Sequence, residues 1–225
     1  MPRNYTFAIG EYYHLYNRGN DRRVIFKDNR DRNRFIALLY LCNGRSNAVD
    51  MNLYFESGLK FFDLLNKDIG DPLVAVGAYC LMPNHFHLLV KQTTNNGISV
   101  FMKKIGTAYS MYFNKRHLRT GSLYEGSYKS TNADSDEYLK YLFSYIHLNP
   151  LKTIDPSWKE HGVIDRKAAE QFLNTYPYSS YLDYAGTNRR EGVILAKKEF
   201  PDYFETTANF KSNLREWLEG DPTKV

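Results

Sequence analysis

The chain has 225 residues, a formal net charge of +5 and a pI near 9.0, and 16% of its residues are aromatic. This length predicts one large domain or two small ones with a substantial core. The two cysteines, Cys42 and Cys80, exclude a disulfide framework and a four-cysteine zinc site and favour a cytoplasmic location. No apolar run approaches the roughly 20 residues that span a bilayer, so we expect no membrane partner.

Apolar periodicity and turn residues predict an alternation of helices and strands. In chain order they predict a strand over 12–16, a helix over 28–41, an ambiguous helix over 53–65, a β-hairpin with strands over 73–81 and 85–90, a helix over 98–115, a helix from Asp134 or Asp136 to 148, and one or two short helices over 200–218. Because two strands are consecutive in the middle, we expect an antiparallel sheet and an α+β fold with helices on one or both faces.

The positive charge is concentrated in two segments. Residues 101–130 carry six basic residues and one acid, Glu125, and a second basic cluster covers residues 18–34, with aromatic residues among both sets. Lys and Arg bind phosphates and aromatic rings stack on unpaired bases, so the pattern indicates a nucleic-acid partner. Two solvated helix faces are the alternative, and charge alone does not decide between them.

A pair of histidines, His85 and His87, begins the second strand of the predicted hairpin. Side chains alternate across a strand, so both imidazoles lie on one face and could close on one divalent ion. A third ligand must come from elsewhere, and histidine with oxygen ligands suits Mn²⁺, Mg²⁺ or Zn²⁺. Cys80 lies across the turn, and its face is not fixed by the sequence. Two partly exposed histidines without a metal are the alternative.

The segment DEYLKYLFSYIHLNP, residues 136–150, is an amphipathic helix that ends at a proline. Leu139, Leu142, Phe143 and Ile146 form its core stripe, and Tyr138, Tyr141, Tyr145 and Asn149 form a neighbouring one. Tyr145 and Asn149 are four residues apart and lie on one side. A phenol is a weak nucleophile that needs a polarised phosphorus or a nearby base. Ordinary packing at a helix–sheet boundary is the alternative for any of these tyrosines, and His147 lies on another side of the helix, away from a metal.

Five segments together resemble a known family. They read YHLYNRGNDRR at 13–23, YCLMPNHFHLLV at 79–90, GSLYEGSYKS at 121–130, DEYLKYLFSYIHLNPLK at 136–152 and YPYSSY at 176–181. Their order and spacing resemble the REP-associated tyrosine transposases, within the HUH single-tyrosine transposases of the insertion-sequence type. The resemblance covers about 12–186, which we expect to form one domain over 1–186 with a variable insertion at 43–71 and a helical tail at 187–225.

The resemblance implies a ferredoxin-like central antiparallel sheet flanked by helices. It also implies that Tyr145 is the nucleophile, that His85, His87 and Asn149 hold a divalent Mg²⁺ or Mn²⁺, and that Tyr138 and Tyr141 are structural. The activity would be cleavage and rejoining of single-stranded, hairpin-forming DNA through a 5′-phosphotyrosine, by a monomer or a homodimer. The expected DNA contacts are Arg18, Arg22, Arg23, Lys103, Lys104, Lys115, Arg116, Arg119 and Lys129.

Three other functions are compatible with parts of this pattern. The first is a domesticated protein that binds repeat DNA without chemistry, although it would have little reason to keep all four site residues. The second is a metal-dependent phosphodiesterase that uses water, which needs more carboxylate or histidine ligands than the sequence offers. The third is a replication initiator or relaxase, whose usual extra domains do not fit in 225 residues.

Overall fold

The computed structural model describes residues 6–45, 61–163 and 165–219. Within them, the strands are β1 (Tyr12–Arg18), β2 (Val74–Met82), β3 (His85–Gln92) and β4 (Lys129–Asn132). The α-helices are α1 (Asn29–Leu41), α2 (Phe61–Leu64), α3 (Gly97–Arg116), α4 (Asp136–Leu148), α5 (Trp158–His161), α6 (Arg166–Thr175), α7 (Tyr181–Tyr184) and α8 (Thr207–Glu219). Short 3₁₀ turns cover Asn20–Arg22, Asn149–Thr153, Arg190–Ile194 and Lys197–Glu199.

The sheet has the strand order β2-β3-β1-β4, and all neighbouring strands are antiparallel. The elements that build it follow one another as β1-α1-β2-β3-α3-β4, which is the βαββαβ order of ferredoxin-like folds. The predicted α+β class and ferredoxin-like sheet are therefore confirmed.

The sheet separates two apolar layers. On one face, strand residues such as Leu15, Phe86 and Leu88 pack with the helices α1 and α3. On the other face, Leu89 and its neighbours pack with the predicted core stripe of α4. Because side chains alternate along β3, residues 85 and 87 lie on the α4 side of the sheet, opposite to Phe86 and Leu88. The sheet thus brings the histidine pair and the tyrosine helix into one layer.

Two local expectations need correction. The sequence analysis missed β4, because KSTN is a short, polar and largely exposed edge strand without apolar alternation. The residue that caps α4 is Ser135, whose side chain accepts a hydrogen bond of 3.1 Å from the backbone N–H of Tyr138; neither Asp134 nor Asp136 has this role. The expected helix over 53–65 lies largely outside the described residues, and its described part is α2.

The described part of the expected tail packs against the rest of the chain. A Cβ on Gly77 in β2 would come within 2.6 Å of the Phe200 ring, so only glycine allows this close approach. Helix α8 covers α4: the Trp217 ring lies 5.1 Å from the Tyr141 ring, and Ser144 Oγ lies 2.9 Å from Asn213 Oδ1. The boundary at residue 186 stays a prediction. No helix in the described ranges is both long and apolar enough to cross a membrane.

The buried His147 in α4 should make the stability of the fold depend on pH. Its side chain is fully buried, and its Nε2 lies 2.7 Å from Ser180 Oγ. Burial lowers the pKa of His147 to about 3, whereas an unfolded histidine has a pKa near 6.5. As the pH falls from 6.5 towards 3, the unfolded chain therefore takes up a proton that the folded chain does not. We expect His147 to lower the free energy of unfolding by up to about 1.4 kcal/mol per pH unit in this window.

Urea unfolding at several pH values between 6.5 and 4, with chelator present, measures this dependence. Other buried histidines also make the free energy of unfolding depend on pH, so the wild type is compared with a His147→Gln variant. The free energy of unfolding of this variant should depend less steeply on pH. Equal slopes in the two proteins would contradict a neutral, buried His147.

Candidate active site

Hydrogen bonds at Nδ1 of His85 and His87 leave the Nε2 atoms of the pair available for a ligand. His85 Nδ1 lies 2.6 Å from Asn84 Oδ1, which can only accept, so Nδ1 carries the proton. Burial lowers the pKa of His85 to about 4, with smaller effects of Lys152 and Arg18. The pKa of His87 is also lowered well below 6.5, by burial and then by the charges of its neighbours. Both rings are therefore neutral at pH 7, as a metal ligand must be.

A third histidine, His14 on β1, orients His87. Its Nε2 lies 2.8 Å from His87 Nδ1, and the two rings are stacked with centroids 5.0 Å apart. If His87 Nδ1 donates to His14, its Nε2 is left for a metal, and His14 must then be neutral. Burial lowers the pKa of His14 to about 4, which meets this condition. The sequence analysis missed His14, because its approach to His87 depends on the pairing of β1 with β3.

The predicted nucleophile lies against this pair within the same chain. The Tyr145 ring is 5.5 Å from the His87 ring and 5.7 Å from the His14 ring, and both contacts are edge-to-face. Burial raises the pKa of Tyr145, and a hydrogen bond with the Asn149 side chain opposes this effect. The structure thus brings together Tyr145, His87 and His85, whose ring lies 5.0 Å from that of His87.

Asn149 supplies an unused oxygen beside Tyr145. Its Nδ2 donates a 2.7 Å hydrogen bond to the Tyr145 backbone carbonyl, and its Oδ1 is buried without a hydrogen-bond partner. A buried orphan acceptor is unfavourable unless a cation or a donor reaches it. Two imidazoles and an amide oxygen fit a divalent ion. In the described ranges no three His, Cys, Asp or Glu side chains form a metal site, so this set depends on the amide.

Cys80 lies directly across from His87 on β2, on the same face of the sheet. The side chain is fully buried, and burial raises the pKa of its thiol. A protonated thiol is a poor metal ligand. The cysteine that the sequence could not place is therefore a packing residue of the α4 layer.

Comparison with known proteins gives a family match over the part of the chain that carries most of these residues. Residues 59–149 match the Y1_Tnp family model, described as "Transposase IS200 like". This segment of the chain is similar to the IS200-like transposases. It spans β2, β3, α3, β4 and α4 and contains the histidine pair, Tyr145 and Asn149.

Two further comparisons accompany this match. Among solved structures, the chain is similar to the REP-associated tyrosine transposase bound to a REP hairpin, with 10% identity, a TM-score of 0.49, and coverage of 85% of this chain and 90% of that chain. No curated protein matches the chain.

Two of the expected DNA contacts share the face of the candidate site. Arg18 lies opposite His85 in the β1–β3 ladder, and Lys129 lies opposite Tyr16 in the β1–β4 ladder. The guanidinium of Arg18 forms two hydrogen bonds of 2.9 Å with Glu125, and Lys129 is exposed. Both could contact a backbone that reaches the histidine pair.

The structure does not bring the basic residues of α3 to this face, since α3 lies on the opposite side of the sheet. Lys104 donates to the Gly44 carbonyl, and Arg116 pairs with Asp28 and Asp31 of the α1 start. Of the other expected contacts, Lys103 lines a groove of about 440 Å³ beside the 122–128 loop, and the side chains of Lys115 and Arg22 are exposed. Arg23 forms an ion pair with Asp21, and Arg119 donates a hydrogen bond to the side chain of Asn114. Their DNA contacts stay predictions.

Two lysines at the site were missed by the sequence analysis. The Nζ of Lys159 in α5 lies 3.6 Å from the centroid of the Tyr145 ring. Lys152, in the 3₁₀ turn after α4, is close enough that its charge lowers the pKa of His85, His87 and Lys159. No motif marked Lys159, because α5 is a single short turn that the apolar pattern does not predict.

Proposed function

We propose that the chain is a single-stranded DNA transposase that cleaves and rejoins strands through a 5′-phosphotyrosine on Tyr145. The observation that carries the proposal is the contact of the Tyr145 ring with His87, 5.5 Å between centroids within one chain. The IS200-like family match over 59–149 supports the same function. Hairpin-forming repeat DNA, implied by the sequence resemblance, is the proposed substrate.

His85 and His87, through Nε2, and Asn149, through Oδ1, would hold a divalent Mg²⁺ or Mn²⁺. When bound, such an ion supplies Lewis-acid polarisation of a phosphoryl oxygen. The orphan Oδ1 of Asn149 and the neutral imidazoles support this ligand set. His14 and Asn84, which contact Nδ1 of His87 and of His85, would hold the two imidazoles in the ligating tautomer.

The chain's own residues account for the covalent steps. The Tyr145 hydroxyl gives up its proton, and its oxygen attacks phosphorus as the P–O3′ bond breaks, so the leaving strand ends in a 3′-OH that takes up a proton. A second 3′-OH then attacks the ester, which releases Tyr145 and rejoins the strand. Because the ester conserves the bond energy, no nucleotide cofactor is needed. The edge-to-face contacts with His14 and His87 fix the ring during both steps.

The contact of Tyr145 with His87 within one chain supports a site that a single copy forms. The DNA backbone would lie along the face that carries Arg18 and Lys129. Monomer or homodimer and a cytoplasmic location stay predictions from the sequence.

The decisive experiment looks for the ester itself. The protein is incubated with Mn²⁺ and labelled single strands taken from hairpin-forming DNA that flanks its coding sequence, and the products are separated on a denaturing gel. We expect a covalent adduct that chelator prevents, with mass spectrometry locating the phosphate on Tyr145. Binding without an adduct would favour a DNA-binding protein without chemistry. Cleavage without an adduct would favour a phosphodiesterase that uses water.

A further inference from the structure

Two amines converge on the candidate site. Lys159 lies over the Tyr145 ring, and Lys152 follows Asn149 by three residues. In the part of the chain that the structure describes, no carboxylate forms an ion pair with either lysine. The three neighbouring histidines, whether neutral or protonated, provide no negative charge.

The partial burial of Lys159 is unfavourable in the absence of an anion. Removing an ammonium group from water costs free energy unless an opposite charge or hydrogen-bond acceptors replace the water. Burial and then the charge of Lys152 lower the pKa of Lys159 to about 7. The Tyr145 ring at 3.6 Å and the Trp158 ring at 5.6 Å from Nζ offset this cost only in part. An anionic ligand would offset the remainder.

We propose that Lys159, with Lys152 beside it, binds the phosphate group that Tyr145 attacks. The ligand is a phosphodiester, whose non-bridging oxygens accept hydrogen bonds from the two amines. Their charge also counters the negative charge that the phosphorus centre carries during the transfer. Trp158, which is 3% exposed, anchors α5 in the core and so fixes Lys159 over the ring. This inference rests on the proposed function and adds a phosphate-binding residue outside the family match.

The first test uses inorganic phosphate as the probe and needs no catalysis. The full chain is labelled with ¹³C at tyrosine, and the Tyr145 resonance is assigned from a Tyr145→Phe sample. We expect phosphate to shift this resonance in a saturable way. In Lys159→Met the affinity for phosphate should fall by about tenfold or more, and in Lys159→Arg it should stay within about threefold. Lys140→Met, an exposed lysine of α4, is the matched control and should bind as the wild type does.

Two results would overturn the inference: a Tyr145 resonance that phosphate does not shift in the wild type, or equal affinity in Lys159→Met. Circular dichroism checks that each variant is folded, and Lys159→Gln replaces the methionine variant if that one is not.

The second test measures adduct formation on DNA. At saturating DNA, Lys159→Met should form the adduct about 100-fold more slowly, with a DNA Kd within about threefold of wild type, and Lys159→Arg should recover much of the rate. An unchanged rate in Lys159→Met would overturn the assigned role while leaving the transposase function intact. A wild type that forms no adduct would overturn the proposed function, and the phosphate titration would still decide whether Lys159 binds an anion.

Discussion

A Tyr145→Phe variant is expected to form no covalent adduct with single-stranded DNA while it binds the strand as tightly as the wild type. Phenylalanine keeps the ring that packs edge-to-face on His14 and His87 and lies under Lys159. It lacks the oxygen that would attack phosphorus and form the ester. End-labelled strands on a denaturing gel measure the adduct, and a native gel measures binding. An adduct that persists in this variant would contradict the assignment.

Tyr141→Phe is the matched control, because this tyrosine lies one turn earlier on α4, with its ring 5.7 Å from that of Tyr145. It should form the adduct at a rate close to that of the wild type. A second control mixes Tyr145→Phe protein with His87→Ala protein. Since both groups lie in one chain, the mixture should remain inactive, and recovery of the adduct would show that the site forms between two copies.

A His87→Ala variant is expected to lose Mn²⁺ binding and strand cleavage together and to retain DNA binding. The substitution removes one of the two imidazole ligands, and the amide of Asn149 with His85 alone is a weak set for a divalent ion. Loss of Lewis-acid polarisation worth several kcal/mol corresponds to at least about a 10³-fold slower cleavage. Electron paramagnetic resonance of free Mn²⁺ measures the first effect, and cleavage of labelled strands measures the second.

His14→Ala is the second variant in this experiment and should have an intermediate effect on Mn²⁺ affinity. It removes the 2.8 Å contact that orients His87 and leaves all three proposed ligands in place. Loss of such an orienting contact weakens metal affinity by about 10- to 100-fold. Unchanged Mn²⁺ affinity in His87→Ala would refute the proposed site, and unchanged affinity in His14→Ala would refute the orienting role alone.

Local patterns in the sequence predicted most of the fold. The apolar hairpin before and after Pro83 and the amphipathic helices predicted an antiparallel sheet with helices, and the structure has that architecture. Alternation along β3 placed both histidines on one face, and helical periodicity placed Tyr145 beside Asn149. These rules depend only on neighbours in the chain. The strand β4 was not predictable in this way, because its four polar residues pair at an exposed edge.

Contacts between distant segments were beyond such rules. The approach of His14 to His87 depends on how β1 pairs with β3, and that of Lys159 to Tyr145 depends on the packing of α5. The charge count grouped all basic residues of 101–130 as one segment. The sheet separates them: Lys129 lies on the face of the histidines, whereas Arg116 lies on the far side and joins α3 to α1.

The packing of α8 on α4 has a consequence for the helix that bears Tyr145. A chain cut before Thr207 would lose the Trp217 ring and the Asn213 side chain that cover α4. The buried Ser144 and the Tyr141 ring would then be open to water. The support of α4 thus comes from a segment far along the chain, and removal of that segment is expected to loosen this helix without removing any residue named at the candidate site.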